Sequence, residues 1–194
     1  MNAKTIVIDI DDTLGDLKTR LQNIYREKTG RKDIHYRDWT DFNAVNYGYS
    51  FDDLTDFFIE DNSLKLMRPH MGIIETTKRF RELGYEIEIV TARAWHPKAQ
   101  EVTTAWLAEN QVTYDRLNIV GLGQCKEEAT RHIQEITLFI DDRVEHCEAM
   151  YKSGRVGMTL LYAQPWNKTQ YDALNYPDDK FYRLEDIRES LRFL

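Results

Sequence analysis

Apolar residues along this chain follow two rhythms. Thr5-Ile6-Val7-Ile8 and Thr137-Leu138-Phe139-Ile140 are apolar or β-branched throughout, as in strands buried on both faces of a parallel sheet. Between such runs the spacing becomes helical. Leu17, Leu21, Ile24 and Tyr25 share one face of a helix running from Asp16 to Lys28, which Gly30 stops. Ser50 with Asp53 forms a capping-box pattern before a second helix that carries Leu54, Phe57 and Phe58. The same reasoning predicts helices over 73–83, closed by Gly84, over 97–110 with Pro97 in the first turn, over 124–133 and over 144–152. Strands are predicted at 87–90, 117–120, 137–140 and 156–162, and the tail after Pro165 reads as loop with a last helix near 185–192.

Strands alternating with helices imply an α/β fold, a three-layer Rossmann-like arrangement around a mainly parallel sheet. The stretch 16–68 shows no convincing strand. It reads as a small helical cap inserted after the first strand, dividing the chain into a core of 1–15 and 69–194 and a cap of 16–68.

In open α/β sheets ligands bind at the carboxyl ends of the strands. Here the first strand runs into Asp9 and Asp11, the next ends at Thr91, a late one ends at Asp141-Asp142, and Lys126 lies shortly before that last strand. Separated positions converging on one rim suit phosphoryl transfer. A carboxylate can attack phosphorus, and a hard Mg²⁺ takes carboxylate oxygens plus substrate phosphate. Asp9 with Asp141 or Asp142 can supply those ligands. Lys126 and the hydroxyl of Thr91 can hold the charge that spreads over the phosphoryl oxygens. Asp11 is suited to give a proton to the leaving oxygen and to take one from the attacking water.

Those residues carry a resemblance. Ile8-Asp9-Ile10-Asp11-Asp12-Thr13-Leu14 resembles the first motif of the haloacid dehalogenase (HAD) superfamily. Val90-Thr91-Ala92-Arg93, Lys126 and Phe139-Ile140-Asp141-Asp142-Arg143 follow in the order of its other three motifs, over about residues 4–165. The resemblance implies Asp9 as nucleophile and metal ligand, and Asp11 as acid/base with its backbone carbonyl on the metal. It implies Thr91, with the adjacent Ala92, and Lys126 as the phosphate-holding groups, and Asp141 or Asp142 as the remaining ligand of Mg²⁺. Asp12 departs from the glycine many members have there and adds an anion beside the site. A narrower resemblance, to the 5′(3′)-deoxyribonucleotidase family, rests on the cap position, on Leu138 to Arg143, and on Leu160-Leu161-Tyr162-Ala163-Gln164-Pro165-Trp166-Asn167. It implies a nucleoside monophosphate as substrate, with cap aromatics around the base. Trp39, Tyr47, Tyr49 and Phe58 are the candidates.

Composition narrows the partners. The net charge of −7 argues against a sequence-independent grip on a long nucleic acid, but not against a small phosphate ester in a cleft with local cations. No run is long and apolar enough for a membrane span. The two cysteines, Cys125 and Cys147, read as reduced packing residues, and with no export signal the expectation is a cytoplasmic protein. Exposed cap aromatics are compatible with a homodimer. His35, His70, His96, His132 and His146 lack metal-ligand spacing and read as surface or capping residues. Arg93 and Arg143 are ambiguous between phosphate and neighbouring carboxylates. The competing functions are a phosphatase of nucleic-acid ends or sugar phosphates and, in another class, a receiver-like phospho-acceptor module. A receiver would carry its phosphoacceptor after a later strand and would lack the cap.

Overall fold

The computed structural model of the chain describes residues 4–39, 48–177 and 179–194. The elements run β1 (Thr5–Ile8), β2 (Gly15–Asp16), α1 (Leu17–Thr29), α2 (Phe51–Glu60), α3 (Ser63–Leu66), β3 (Arg68–Pro69), α4 (Ile73–Glu82), β4 (Glu86–Thr91) and α5 (Ala99–Glu109). They continue with β5 (Arg116–Ile119), α6 (Lys126–Ala129), β6 (Ile136–Asp141), α7 (Val144–Lys152), β7 (Val156–Tyr162), α8 (Lys168–Ala173) and β8 (Phe181–Leu184), before a closing 3₁₀ segment, Ile187–Phe193.

The main sheet orders its six strands β5-β4-β1-β6-β7-β8, and every neighbouring pair is parallel. β1 is central and wholly buried. Its side chains alternate between two cores. Ile6 and Ile8 pack with Phe80, Trp106 and Leu160 on one face, while Val7 packs with Val90, Phe139 and Met150 on the other. This two-faced burial explains why β1 is apolar or β-branched at each position. A third core, formed by Leu21, Ile24, Tyr25, Ile34, Trp39 and Phe58, holds the helices that follow β1.

A two-residue antiparallel ribbon, Gly15–Asp16 against Arg68–Pro69, brackets those helices. Its crossing is tight. A Cβ on Gly15 would lie 2.2 Å from Met67 Cε and 2.9 Å from the Trp106 ring, so only glycine lets the two chain segments approach this closely. Trp106 Nε1 donates to Met67 O at 2.7 Å and ties the returning segment to α5.

Several predicted elements differ in extent. α5 begins at Ala99, because Pro97 and Lys98 lie in the turn before it rather than in its first turn. The helix expected over 124–133 is confined to Lys126–Ala129, and Thr130 and Ile133 continue in tighter turns. Arg155 clamps that turn, donating to the carbonyls of Glu127, Thr130 and Ile133. The tail is not loop: it holds α8 and the edge strand β8, which escaped the sequence pattern because Phe181-Tyr182-Arg183-Leu184 buries its two ends instead of alternating. The capping box at Ser50–Asp53 forms, and Gly30 closes α1 in the left-handed conformation.

Candidate active site

At the carboxyl end of β1 the sheet ladder persists one residue further, with Asp9 N donating to Ile140 O at 2.9 Å. That bond seats Asp9 beside the end of β6. The chain then folds back on itself: Thr13, Leu14 and Gly15 all donate to Ile10 O, and Asp12 adopts φ 59°. Aspartate is among the non-glycine residues that tolerate this left-handed turn, so Asp12 is compatible with it. Its carboxylate accepts from Lys18 N at the start of α1, and its carbonyl accepts from Gln164 Nε2 at 2.7 Å.

Lys126 Nζ lies 2.6 Å from Asp9 Oδ1 and 2.7 Å from Asp141 Oδ2, with all three side chains nearly or fully buried. Asp141 is the fully engaged member of the acidic pair. Its Oδ1 accepts from Arg143 N at 2.8 Å, and His146 Nδ1 is 3.2 Å from Oδ2. Asp142 is held differently. Asn167 Nδ2 donates to its carbonyl at 2.8 Å, and Trp166 Nε1 approaches its Oδ2 at 3.3 Å. The Gln164 to Asn167 turn therefore braces both the first acidic loop and the last one, a role the sequence signals only through its Pro-aromatic-Asn pattern.

Across the floor, Asp11 does not join Lys126. Arg93 Nε and Nη2 take its two oxygens at 2.8 and 2.5 Å, and Thr91 Oγ1 is 3.4 Å from Oδ2. Thr91 is fully buried; Ala92 is half-buried and lines the cavity with Asp9, Asp11 and Lys126. The structure thus brings together all the residues singled out at the strand ends, and it resolves the ambiguity of Arg93 in favour of a carboxylate.

Burial dominates the electrostatics. It lifts Asp9 to about 6, against the pull of Lys126 and with further push from Asp141 and Asp11. It lifts Asp12 to about 7 despite Lys18, and it raises Asp142 well above the usual carboxylate range, with Asp141 and Asp12 adding to the effect. Asp141 alone of these goes the other way: burial pushes it up, but Lys126 and His146 together hold it below the usual range. Burial likewise depresses Lys18, whose ammonium sits over the rings of Trp39 and Trp166 at 5.7 and 5.2 Å.

One oxygen from each of Asp9, Asp141 and Asp142 falls within a 4.8 Å cluster, the one group of such ligands among the described residues. This is an all-oxygen donor set, buried, in which burial pushes Asp9 and Asp142 toward protonation while Lys126 and His146 hold Asp141 ionised. It fits a hard divalent cation such as Mg²⁺.

Above the floor lies a cavity of about 330 Å³. Its walls are apolar, lined by Leu21, Tyr25, Trp39, Tyr49 and Phe58, by Trp95, whose ring lies 6.2 Å from that of Phe58, and by Leu122. Of the aromatic candidates, Trp39, Tyr49 and Phe58 line it, while Tyr47 falls outside the described residues. The indole N–H of Trp39 is buried with no acceptor among the described residues. Among the charged groups of the lining, the sequence pattern does not mark two, Lys18 and His146. Lys18 was passed over as one helix position among many. His146, read as a surface or capping residue, is instead packed on Asp141, because residue 146 falls on the turn of α7 that faces the end of β6.

No protein-family model matches this sequence, and no curated protein matches it. Solved structures do. A protein from Geobacter sulfurreducens described as a HAD-superfamily hydrolase, subfamily IA, aligns over 99% of this chain and 100% of its own, with a TM-score of 0.58 at 14% identity. The chain has the HAD fold. D,D-heptose 1,7-bisphosphate phosphatase from Burkholderia thailandensis aligns over 98% of this chain and 97% of its own, with a TM-score of 0.57 at 14% identity. The B. bronchiseptica enzyme of the same name, solved with magnesium and phosphate, aligns over 98% and 99%, with a TM-score of 0.55 at 10% identity. On the HAD fold, Asp9 is the residue that leaves the central strand and Asp141-Asp142 end the strand beside it. No helix among the described residues is long and apolar enough to cross a membrane.

Proposed function

We propose that this HAD-fold protein is a Mg²⁺-dependent phosphomonoesterase that works through a phospho-aspartate at Asp9. One observation carries the reading. A buried carboxylate at the end of the central strand faces a substrate-sized cavity, with a lysine on one oxygen and a second, poorly compensated carboxylate, Asp142, within metal-sharing distance. Asp9 attacks phosphorus while the leaving oxygen takes a proton from Asp11. Water then attacks the phospho-aspartate, Asp11 takes its proton, and phosphate leaves. Lys126 holds the phosphoryl oxygens, with Thr91 and Ala92 at the opposite edge. Asp9, Asp142 and the carbonyl of Asp11 would hold the metal. Asp141, already committed to Lys126, Arg143 N and His146, supports them from behind. A bound Mg²⁺ would supply positive charge to the transferring phosphoryl group.

The substrate we propose is a (deoxy)nucleoside monophosphate. Trp39, Tyr49, Phe58 and Trp95 make a cavity suited to a flat ring. Residues 16–68 act as the cap that supplies this wall, and 1–15 with 69–194 act as the catalytic core. The net charge of −7 and the apolar wall favour a small ester over a long polymer. The reading is of a cytoplasmic enzyme, in keeping with its two free thiols, Cys125 and Cys147.

Phosphate release should be followed with Mg²⁺ across nucleoside monophosphates, sugar phosphates and 3′- or 5′-phosphorylated oligonucleotides, comparing wild type with Asp9→Asn. The variant should lose at least about 1000-fold in turnover, as expected for loss of a covalent nucleophile. Equal release from both proteins would refute the role of Asp9. Preference for a sugar phosphate or an oligonucleotide end would replace the nucleotide assignment and leave the chemistry in place.

A further inference from the structure

Asp11 stands on a loop and carries a short side chain with two rotatable bonds, yet its carboxylate is fixed in one plane. Arg93 meets it edge to edge, Nε on Oδ2 and Nη2 on Oδ1, and a paired contact of this kind sets orientation as well as position. The guanidinium is itself immobile. Arg93 is completely buried, its Nη1 donates to Thr103 Oγ1 at 3.2 Å on α5, and its Nη2 lies 3.9 Å from Met67 Sδ beside the ribbon that bounds the cap. The two residues also differ in what they can reach. Asp11 lines the cavity, whereas Arg93 does not. A cation behind the carboxylate, sealed from the cavity by it, has no route to a substrate phosphate.

We infer that Arg93 is the positioning residue for proton transfer, holding Asp11 in the orientation from which it protonates the leaving oxygen and later deprotonates water. The inference rests on the phosphatase reading above and deepens it. In the first step the Asp9–P bond forms, the P–O bond to the leaving group breaks, and the proton passes from Asp11 to that oxygen. In the second the water–P bond forms, the P–O(Asp9) bond breaks, and the water proton passes to Asp11. A misaligned Asp11 therefore harms the first step only when the leaving group needs a proton, and harms the second step always. An alkoxide needs that proton, whereas 4-nitrophenolate does not.

The test compares kcat/KM, which reports steps through departure of the leaving group, for benzyl phosphate and 4-nitrophenyl phosphate in wild type, Arg93→Met, Arg93→Lys and Thr103→Val. Arg93→Met should lose about 100-fold on the benzyl ester, the low end of what a general acid contributes. On the aryl ester it should stay within about fivefold, with a burst of about one nitrophenolate per site as hydrolysis of phospho-Asp9 becomes limiting. Arg93→Lys should not restore the benzyl activity, because an ammonium cannot reproduce the paired contact. Thr103→Val, which leaves the ion pair but frees the guanidinium, should show a smaller loss with the same selectivity. Should Arg93→Met fail to fold by circular dichroism, the selectivity of Thr103→Val decides. Equal losses on both esters, or a raised KM with unchanged kcat, would overturn the inference, the latter by making Arg93 a phosphate ligand. A wild type inactive on both esters would instead bring down the phosphatase reading, and this inference with it.

Discussion

Lys126→Met keeps an unbranched side chain of similar length and removes the ammonium that sits between Asp9 and Asp141 at 2.6 and 2.7 Å. Both carboxyls are buried, so the variant keeps two acids in the interior with their cation gone. Breaking a buried ion pair from one side costs about 3–5 kcal/mol. The cost should depend on pH, and the sign follows from the direction of each shift. In the wild type, Asp141 lies below its ordinary 3.8: burial raises it, but Lys126 and His146 outweigh burial. It contributes stability above that value, which is lost only as pH falls through the depressed one. Asp9, raised to about 6 chiefly by burial, contributes full stability at low pH and loses it as pH rises through about 6. Without Lys126 both groups move upward, so the variant weakens further with each unit of rising pH over which they stay protonated, by up to about 1.4 kcal/mol per unit and group. Urea unfolding in EDTA should therefore show a loss of about 3–5 kcal/mol at pH 8 that shrinks by roughly 3 kcal/mol at pH 5.5. A destabilisation equal at both pH values, or larger at pH 5.5, would refute the claim that uncompensated carboxylate charge is what Lys126 relieves.

Two other outcomes follow from the same geometry. Mg²⁺ binding should weaken as pH falls through the range from 7 to 5, because the metal must displace protons from Asp9 and Asp142, whose carboxyls are raised. Calorimetry in buffers of different ionisation enthalpy should detect proton release, and binding without it would contradict the raised values. Gly15→Ala should cost about 1–3 kcal/mol in thermal or urea unfolding, since the Met67 methyl can swing aside but the buried Trp106 ring, 2.9 Å from the new Cβ, cannot. An unchanged melting temperature would show that the ribbon crossing accommodates a Cβ at this position.

The strands that carry the site are legible in the chain because burial on both faces demands uninterrupted apolar runs, and the charged residues that end them mark where each strand leaves the sheet. Asp9, Thr91 and Asp141 could be recognised that way, and Lys126 by its order among them. The edge strand β8 could not, because only its two ends, Phe181 and Leu184, are buried, one in each core, and four residues with a half-buried middle leave no periodicity to read. His146 and Lys18 were also out of reach. Each occupies an ordinary helical position, and its importance comes from what the helix packs against, not from its neighbours in sequence.

The sequence by itself determined the α/β alternation, the helices that follow the first strand and the acids that terminate the central strands, all consequences of local burial and local turn chemistry. Only the tertiary structure decided how those acids divide their work. It gave Lys126 to Asp9 and Asp141, gave Arg93 to Asp11, and left Asp142 the least compensated of them. Side chains 15, 82 and 117 positions apart meet there because the sheet stacks its strand ends in space. In a buried cluster, burial and the charged partners that the fold brings within 3 Å together decide which carboxyls are pushed up and which are held down, and no spacing along the chain encodes those distances.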